Sequence, residues 1–300
     1  LSAFSAIAGQ PLGGAAHLEF TANGDPGAKT GTLELSIDAK DLTADAAQLD
    51  RLLEGASRFS GNLSVSDGTR FSIDDGVLTA SGIELTLEGA GDLDSLETAS
   101  ATGRIKDLSR IDEAASGEVG FNLSATGSFL ALDVDAGLTS DKITLNQETL
   151  ENLDFQAKVR ASVIELQGTL NLTASVRNQP VVAKANLSTD PKGIRWLEDI
   201  ELVSGDTRLT GRAGLDANNQ PQGKVQFASP DLSALGPFIG RKLAGQLEGN
   251  AEFQKADGKP VLDVDVSGAG LGLDGIVVGS ANLTARATDP LNVPDVTGRL

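Results

Sequence analysis

The chain has 300 residues, and its 24 basic and 42 acidic side chains give a net charge of −18 and an isoelectric point near 4.4. This charge repels phosphate backbones and anionic membrane surfaces, so we expect neither nucleic-acid binding nor adsorption to such a membrane. The sequence has no cysteine, which excludes disulfides and thiolate metal sites, and no run of 18 apolar residues that could span a bilayer as a helix.

Glycine is abundant, with 35 residues, whereas aromatic residues make up only 4% of the chain. Many glycines are typical of short strands joined by tight turns, and few aromatics argue against a thick packed core. The chain begins at Leu1 and stops at Leu300 within a strand-like phrase. We therefore expect residues 1–300 to be a single continuous β-repeat segment of a longer chain.

Apolar and polar residues alternate along most of the sequence in segments of five to nine residues. Leu33, Leu35 and Ile37 alternate with polar residues, and Ile83, Leu85 and Leu87 repeat the pattern. Because successive side chains of a strand point to opposite faces, each segment has one apolar and one polar face. About twenty such strands separated by Gly, Asn, Asp or Pro predict an antiparallel all-β protein.

Helical spacing is rare. Residues 45–54 carry leucines at helical spacing and predict one helix, while residues 2–8 and 233–239 predict single turns. A short turn or helix, a glycine and then a strand recur as a unit with approximate starts near residues 1, 41, 107 and 231. The spacing of these copies is uneven, which favours a loosely repeating sheet over a strict solenoid.

Several motifs have simpler structural interpretations. The phrase Asn-Leu-Ser/Thr matches a glycosylation acceptor, but every copy falls within an alternating strand; the copies begin at Asn62, Asn122, Asn171, Asn186 and Asn282. Residues 270–275 spell the dinucleotide fingerprint, yet a strand pattern follows where that fingerprint needs a helix. We therefore predict strands at these motifs and no cofactor.

Catalytic and metal sites are not predicted. Asp133 with Asp135, and Asp263 with Asp265, share the polar face of a strand without the tight turn that calcium loops need. His17 is the only histidine, so neither a zinc site nor a Ser-His-Asp triad can be assembled. Trp196 stands alone, which argues against aromatic sugar platforms. We expect a protein that is not an enzyme and holds no metal.

Three longer phrases resemble the TamB/AsmA-like family, which includes the inner-membrane-anchored subunit of the translocation and assembly module. They are residues 1–14, residues 230–245 and residues 200–211. The resemblance extends along essentially the whole chain. It implies an elongated, mostly antiparallel curved sheet that forms a taco-like or open β-helical hydrophobic groove with few short helices.

The family resemblance also implies a function. The full-length protein is expected in the periplasm, anchored in the inner membrane, and bound to an outer-membrane barrel partner (TamA-like) through parts of the chain not present here. The implied activity is phospholipid transfer between the two membranes and support of outer-membrane protein assembly.

We expect the apolar face to shield phospholipid acyl chains. The predicted groove-lining residues are the alternating apolar ones: Leu33, Leu35, Ile37, Phe71, Ile73, Ile83, Leu85, Leu87, Val119, Phe121, Leu123, Leu153, Phe155, Val225 and Phe227. Two alternatives remain open at the level of sequence: a structural or adhesive surface β-repeat protein whose apolar face packs on itself, and a β-helical polysaccharide enzyme.

Overall fold

A computed structural model of the chain describes residues 13–43, 45–146, 148–162, 164–233, 241–256, 259–290 and 295–299. The predicted turns at residues 2–8 and 233–239 lie outside these ranges, apart from Ser233. The chain divides into two compact units, Leu1–Gln156 and Ala157–Leu300, and the division falls within one strand.

Unit 1 is built of antiparallel strands in chain order. Its strands are β1 (Gly13–Asp25), β2 (Thr30–Thr43), β3 (Ala56–Ser66), β4 (Arg70–Thr79), β5 (Ile83–Gly91), β6 (Ser95–Ile105), β7 (Ala115–Gly117), β8 (Val119–Ser128) and β9 (Ala131–Leu145), followed by β10 (Glu148–Ser162), which contains the division.

Each strand of unit 1 from β1 to β6 pairs with the next, β6 pairs with β8, and β9 pairs with both β7 and β8. Asp and Gly residues with positive φ occupy the tight turns that join the strands, as at Asp67 and Gly68 between β3 and β4. The result is an open, antiparallel single-layer sheet.

Two short helical segments interrupt the described part of unit 1. The helix α1 (Ala47–Leu53) lies within the predicted residues 45–54, and a 3-10 turn (Leu108–Arg110) follows β6. The Asp107 carboxylate accepts the backbone N–H of Ser109 at 3.0 Å and caps the turn.

Unit 2 continues the antiparallel pattern. Its strands after β10 are β11 (Leu166–Val176), β12 (Gln179–Thr189), β13 (Arg195–Ser204), β14 (Thr207–Leu215), β15 (Pro221–Ser229), β16 (Leu243–Ala256), β17 (Lys259–Leu273), β18 (Ile276–Thr288) and β19 (Asp295–Arg299). From β11 to β19 each strand pairs with the next.

The predicted fold class is confirmed: the chain is all-β, with antiparallel strands in an open sheet and few helices. All five Asn-Leu-Ser/Thr phrases lie in strands, and β18 follows residues 270–275 where the sequence predicts a strand. No helix in the described ranges is long and apolar enough to cross a membrane.

Candidate functional site

The apolar face of unit 1 is assembled by the strand register. Residues opposite each other in neighbouring strands share a face, so a row can be followed across the sheet. One row is Leu18, Ile37, Phe59, Leu78, Leu85, Gly103, Phe121 and Leu138; a second joins Leu87, Ala101, Leu123 and Ala136; a third is Ala22, Leu33, Leu63, Ile73, Gly89, Ala99, Ala125 and Val134.

Bulges keep these rows in phase. Between Ile73 and Gly76 the register of β4 shifts, and a Cβ built on Gly61 of β3 would lie 3.2 Å from the Gly76 Cα. The bulge therefore leaves Leu78 opposite Leu85 and Ile73 opposite Gly89, on the same face. The unpaired residues of the bulge are Asp74 and Asp75, and Asp75 has a positive φ of 53°, so the apolar register is kept on both sides of the bulge.

The register brings together most of the predicted lining residues. In unit 1 the rows contain or adjoin Leu33, Leu35, Ile37, Phe71, Ile73, Ile83, Leu85, Leu87, Val119, Phe121 and Leu123. Leu153 and Phe155 lie two residues apart in β10, are half-buried, and so share one side of that strand. Val225 and Phe227 lie in unit 2.

The side chains of this face are only partly covered. Most are half-buried, and Leu123 is 44% exposed although it lies in an inner strand. Phe20, in β1, is 65% exposed. In a sealed core such residues would be almost inaccessible to solvent. Here neighbouring side chains shield one another laterally, while the surface of the face that points away from the sheet is open to solvent.

Small residues let large ones lie flat on the face. A Cβ built on Gly103 would lie 2.8 Å from Cζ of Phe121 and 2.2 Å from the backbone oxygen of Glu84. The ring of Phe121 therefore occupies the space that a side chain at residue 103 would need. Because Gly103 has no side chain, the Phe121 ring fits beside it, and the row continues without a break from β5 to β8.

The apolar face of unit 2 is built in the same way. One row is Leu172, Ala183, Leu202, Leu209, Phe227, Gly249, Val266 and Leu283; a second is Ile200, Gly211, Val225, Ala251, Val264, Ala285 and Gly298. Phe227 and Val225 are half-buried, as are most of their neighbours. The two predicted lining residues of this unit thus lie side by side on its apolar face.

The opposite faces carry cross-strand ion pairs. In unit 1, Glu84 binds Arg104 at 2.7 Å and Lys106 at 2.9 Å. In unit 2, Glu201 binds Lys184 at 2.7 Å and also Arg208. Hydrogen bonds from Lys106 and Arg104 hold the pKa of Glu84 below its usual range, and Lys184 does the same for Glu201.

Shallow depressions on unit 2 lie among these polar side chains. One is bordered by Arg208, Gln226, Glu248 and Asp265. A second is bordered by Gln246, Ser267, Asn282 and neighbouring residues. They are gaps between long side chains that stand apart on the polar face. The polar groups in their walls are suited to water rather than hydrocarbon.

Trp196 and His17 each make contacts that fit a structural role. Trp196 is buried, its indole N–H donates to Asp190 at 3.3 Å, and the Arg212 guanidinium lies 4.7 Å from the ring centroid. His17 is exposed and contacts Glu19 at 3.3 Å on the polar face. In the described part of the chain, no three His, Asp or Glu side chains converge as metal ligands would.

Several residues of the apolar faces were not predicted from the sequence. Leu63, Leu78 and Leu138 lie in the rows of unit 1, and Ile105 lies opposite Ile83 and Val119, but none of the four was predicted to line the groove. Alternation with polar neighbours was the available signal at Leu63 and Ile105, whereas Val77 interrupts it at Leu78. Cross-strand ion pairs were also missed, because pairing partners cannot be read from a strand alone.

Comparison with known proteins gives no match: no family model fits the chain, and no curated protein and no solved structure is similar to it. Function is therefore inferred from the arrangement of the described side chains. The rows offer aliphatic and aromatic contact without an ionisable group among their members, an arrangement that can bind hydrocarbon.

Proposed function

We propose that this chain is a non-catalytic conduit segment whose apolar faces shield phospholipid acyl chains from water. The observation that carries the proposal is the set of in-register apolar rows that cross each unit with partly exposed side chains. Soluble proteins rarely expose contiguous apolar surface of this kind, and where they do it marks an interaction site.

The physical chemistry suits weak, sliding contact. Complete burial stabilises a chain by about 0.8 kcal/mol per CH₂, and contact on one side only gives about half of that. A chain of about 16 carbons then gains about 6 kcal/mol, which falls between the free energies of millimolar and micromolar affinity. Such a chain is held but can still move along the rows.

The biological setting follows from the family resemblance. We infer that the full-length protein lies in the periplasm, is anchored in the inner membrane, and binds an outer-membrane barrel partner through other parts of the chain. Phospholipid would pass between the two membranes along the apolar faces, in support of outer-membrane protein assembly. The acidic chain would keep its polar face in water and away from anionic head groups.

A structural or adhesive role is the rival proposal, in which the apolar face packs on itself. Mass spectrometry of lipid that co-purifies with the chain separates the two. A conduit carries phospholipid, whereas a face already covered by protein carries none.

The test compares Leu85→Glu with Thr86→Glu. These residues are neighbours in β5, but Leu85 lies on the apolar face and Thr86 on the polar face. We expect Leu85→Glu to lose most co-purified phospholipid and, in cells, to weaken the outer-membrane barrier, while Thr86→Glu keeps both. Equal lipid content in two well-folded variants would contradict the proposal.

A further inference from the structure

One end of the apolar face of unit 1 is covered. The backbone N–H of Gly82 donates to the Leu52 oxygen of α1 at 3.0 Å, and Arg110 of the 3-10 turn donates to the Arg51 oxygen at 3.1 Å. Leu52 is 7% exposed and Ala80 is 3% exposed. The helical segments therefore close the face at the strand ends near Ala80 and Ile83.

The opposite strand ends carry exposed apolar side chains. Leu93, in the β5–β6 turn, is 73% exposed; Phe129 and Leu130, in the β8–β9 turn, are 49% and 71% exposed. The Phe129 N–H donates to the Asp94 oxygen at 3.0 Å and holds the two turns together. We call Leu93, Phe129 and Leu130 the apolar rim.

The apolar rim is continuous with the face. The outermost row of the sheet at this end joins Phe71 of β4 to Gly91, Leu96, Gly127 and Leu132. The last four lie in the strands that lead directly into the two turns. Leu93, Phe129 and Leu130 are each two residues away from a member of this row.

A fixed negative charge lies beside the rim. The Asp92 carboxylate accepts hydrogen bonds from the backbone N–H groups of Asp94 at 2.9 Å and Ser95 at 2.8 Å. The bond from Asp94 first, then those from the Ser95 hydroxyl and N–H and the nearby charge of Arg70, hold the pKa of Asp92 below its usual range, so the group stays ionised. Asp94 adds a second exposed carboxylate on the other side of Leu93.

We propose that the apolar rim is where an amphiphile with an amine-bearing, positively charged group in its head enters the apolar face of unit 1. This inference rests on the proposed function. The tail contacts Leu93, Phe129 and Leu130 first, and the carboxylates of Asp92 and Asp94 attract the amine while repelling an anionic head group. The covered end near α1 does not admit the tail.

The test follows the rate of entry. Because the chain has no cysteine, Ala101→Cys provides a single attachment point for a small environment-sensitive dye on the apolar face. The probes are palmitoyl lysophosphatidylcholine and palmitoyl lysophosphatidylglycerol below their micelle concentrations, mixed with the full chain by stopped flow. Native mass spectrometry of the unlabelled parent chain, with the same probes, reports binding independently of the dye.

We expect Leu93→Ser with Leu130→Ser to slow entry about fivefold, because the tail loses its first apolar contacts at the rim without any change of charge. Folding should be preserved, since both side chains are largely in water. The matched control is Leu49→Ser on the exposed side of α1, which should leave the rate unchanged. We also expect Asp94→Asn, but not Asp45→Asn, to reduce the preference for the choline head group.

The outcomes separate the rim from the conduit. If the rim variant and the Leu49 variant give a normal dye signal at equal rates of entry, the rim proposal is overturned and the proposed function stands. Entry of the anionic probe as fast as that of the choline probe has the same consequence. Failure of the parent chain to bind either probe by native mass spectrometry would overturn both.

Discussion

Leu123→Asp is predicted to weaken acyl-chain binding without unfolding the chain. Leu123 lies on the apolar face between Ala101 and Ala136, and its 44% exposure leaves room for a carboxylate to remain hydrated in the free protein. Thr102→Asp, next to Ala101 on the polar face, adds the same charge and serves as the matched control.

The magnitude follows from the contact that is lost. A leucine on an open face covers about three or four CH₂ groups of a tail on one side, which corresponds to about 1.5 kcal/mol. An ionised carboxylate beneath the tail adds a desolvation cost unless the tail moves aside. Together we expect a loss of about 2 kcal/mol, or roughly 30-fold in Kd. The variant itself should lose about 1 kcal/mol of unfolding free energy, as a typical substitution does.

The assay is an equilibrium titration with a naturally fluorescent polyene fatty acid, together with denaturant unfolding of each variant. Leu123→Asp should raise Kd while Thr102→Asp leaves it unchanged. If both variants bind as the parent chain does, or if both weaken binding equally, the assignment of hydrocarbon contact to one face is wrong.

Three further predictions concern stability. Gly103→Ala should cost about 2 kcal/mol or more, because its Cβ would overlap the Glu84 oxygen and the Phe121 ring, whereas Gly31→Ala, with its nearest neighbour at 3.5 Å, should cost under about 1 kcal/mol; denaturant midpoints check both. The lowered pKa of Glu84 means that its ion pairs stabilise the fold at neutral pH and are lost as the pH falls through the folded pKa. Unfolding curves of the parent and Glu84→Gln should therefore differ at pH 7 and converge in acid; a constant difference would contradict this. Leu52→Ala should destabilise unit 1 by about 2 to 4 kcal/mol, measured by thermal unfolding, because it empties the buried contact between α1 and the sheet; a change below 1 kcal/mol would mean that α1 does not cover the face.

The faces of individual strands were predictable from sequence because alternation directly determines which side chains share a side. Leu33, Leu35 and Ile37 illustrate this, as do Leu85 and Leu87. The helix within residues 45–54 was predictable for the same kind of reason, since its leucines repeat at helical spacing.

Strand registers and the ends of the sheet were not predictable in this way. The bulge that sets Leu78 opposite Leu85 depends on how Gly61 and Gly76 approach each other, which is a property of two strands rather than one. Likewise, the pairing of Glu84 with Lys106 and the joining of the turns at Asp94 and Phe129 depend on long-range contacts. The division of the chain within β10 has no signal in composition.

The most direct measurement is to map where a photoreactive acyl chain attaches along β5 of the unmodified protein. A phospholipid with a diazirine in its tail is bound and irradiated, and the modified residues are identified by peptide mass spectrometry. The account predicts adducts at Leu85 and Leu87 and none at Thr86 and Glu88, since these pairs lie on opposite faces. Adducts distributed evenly over the four residues, or confined to Thr86 and Glu88, would contradict it.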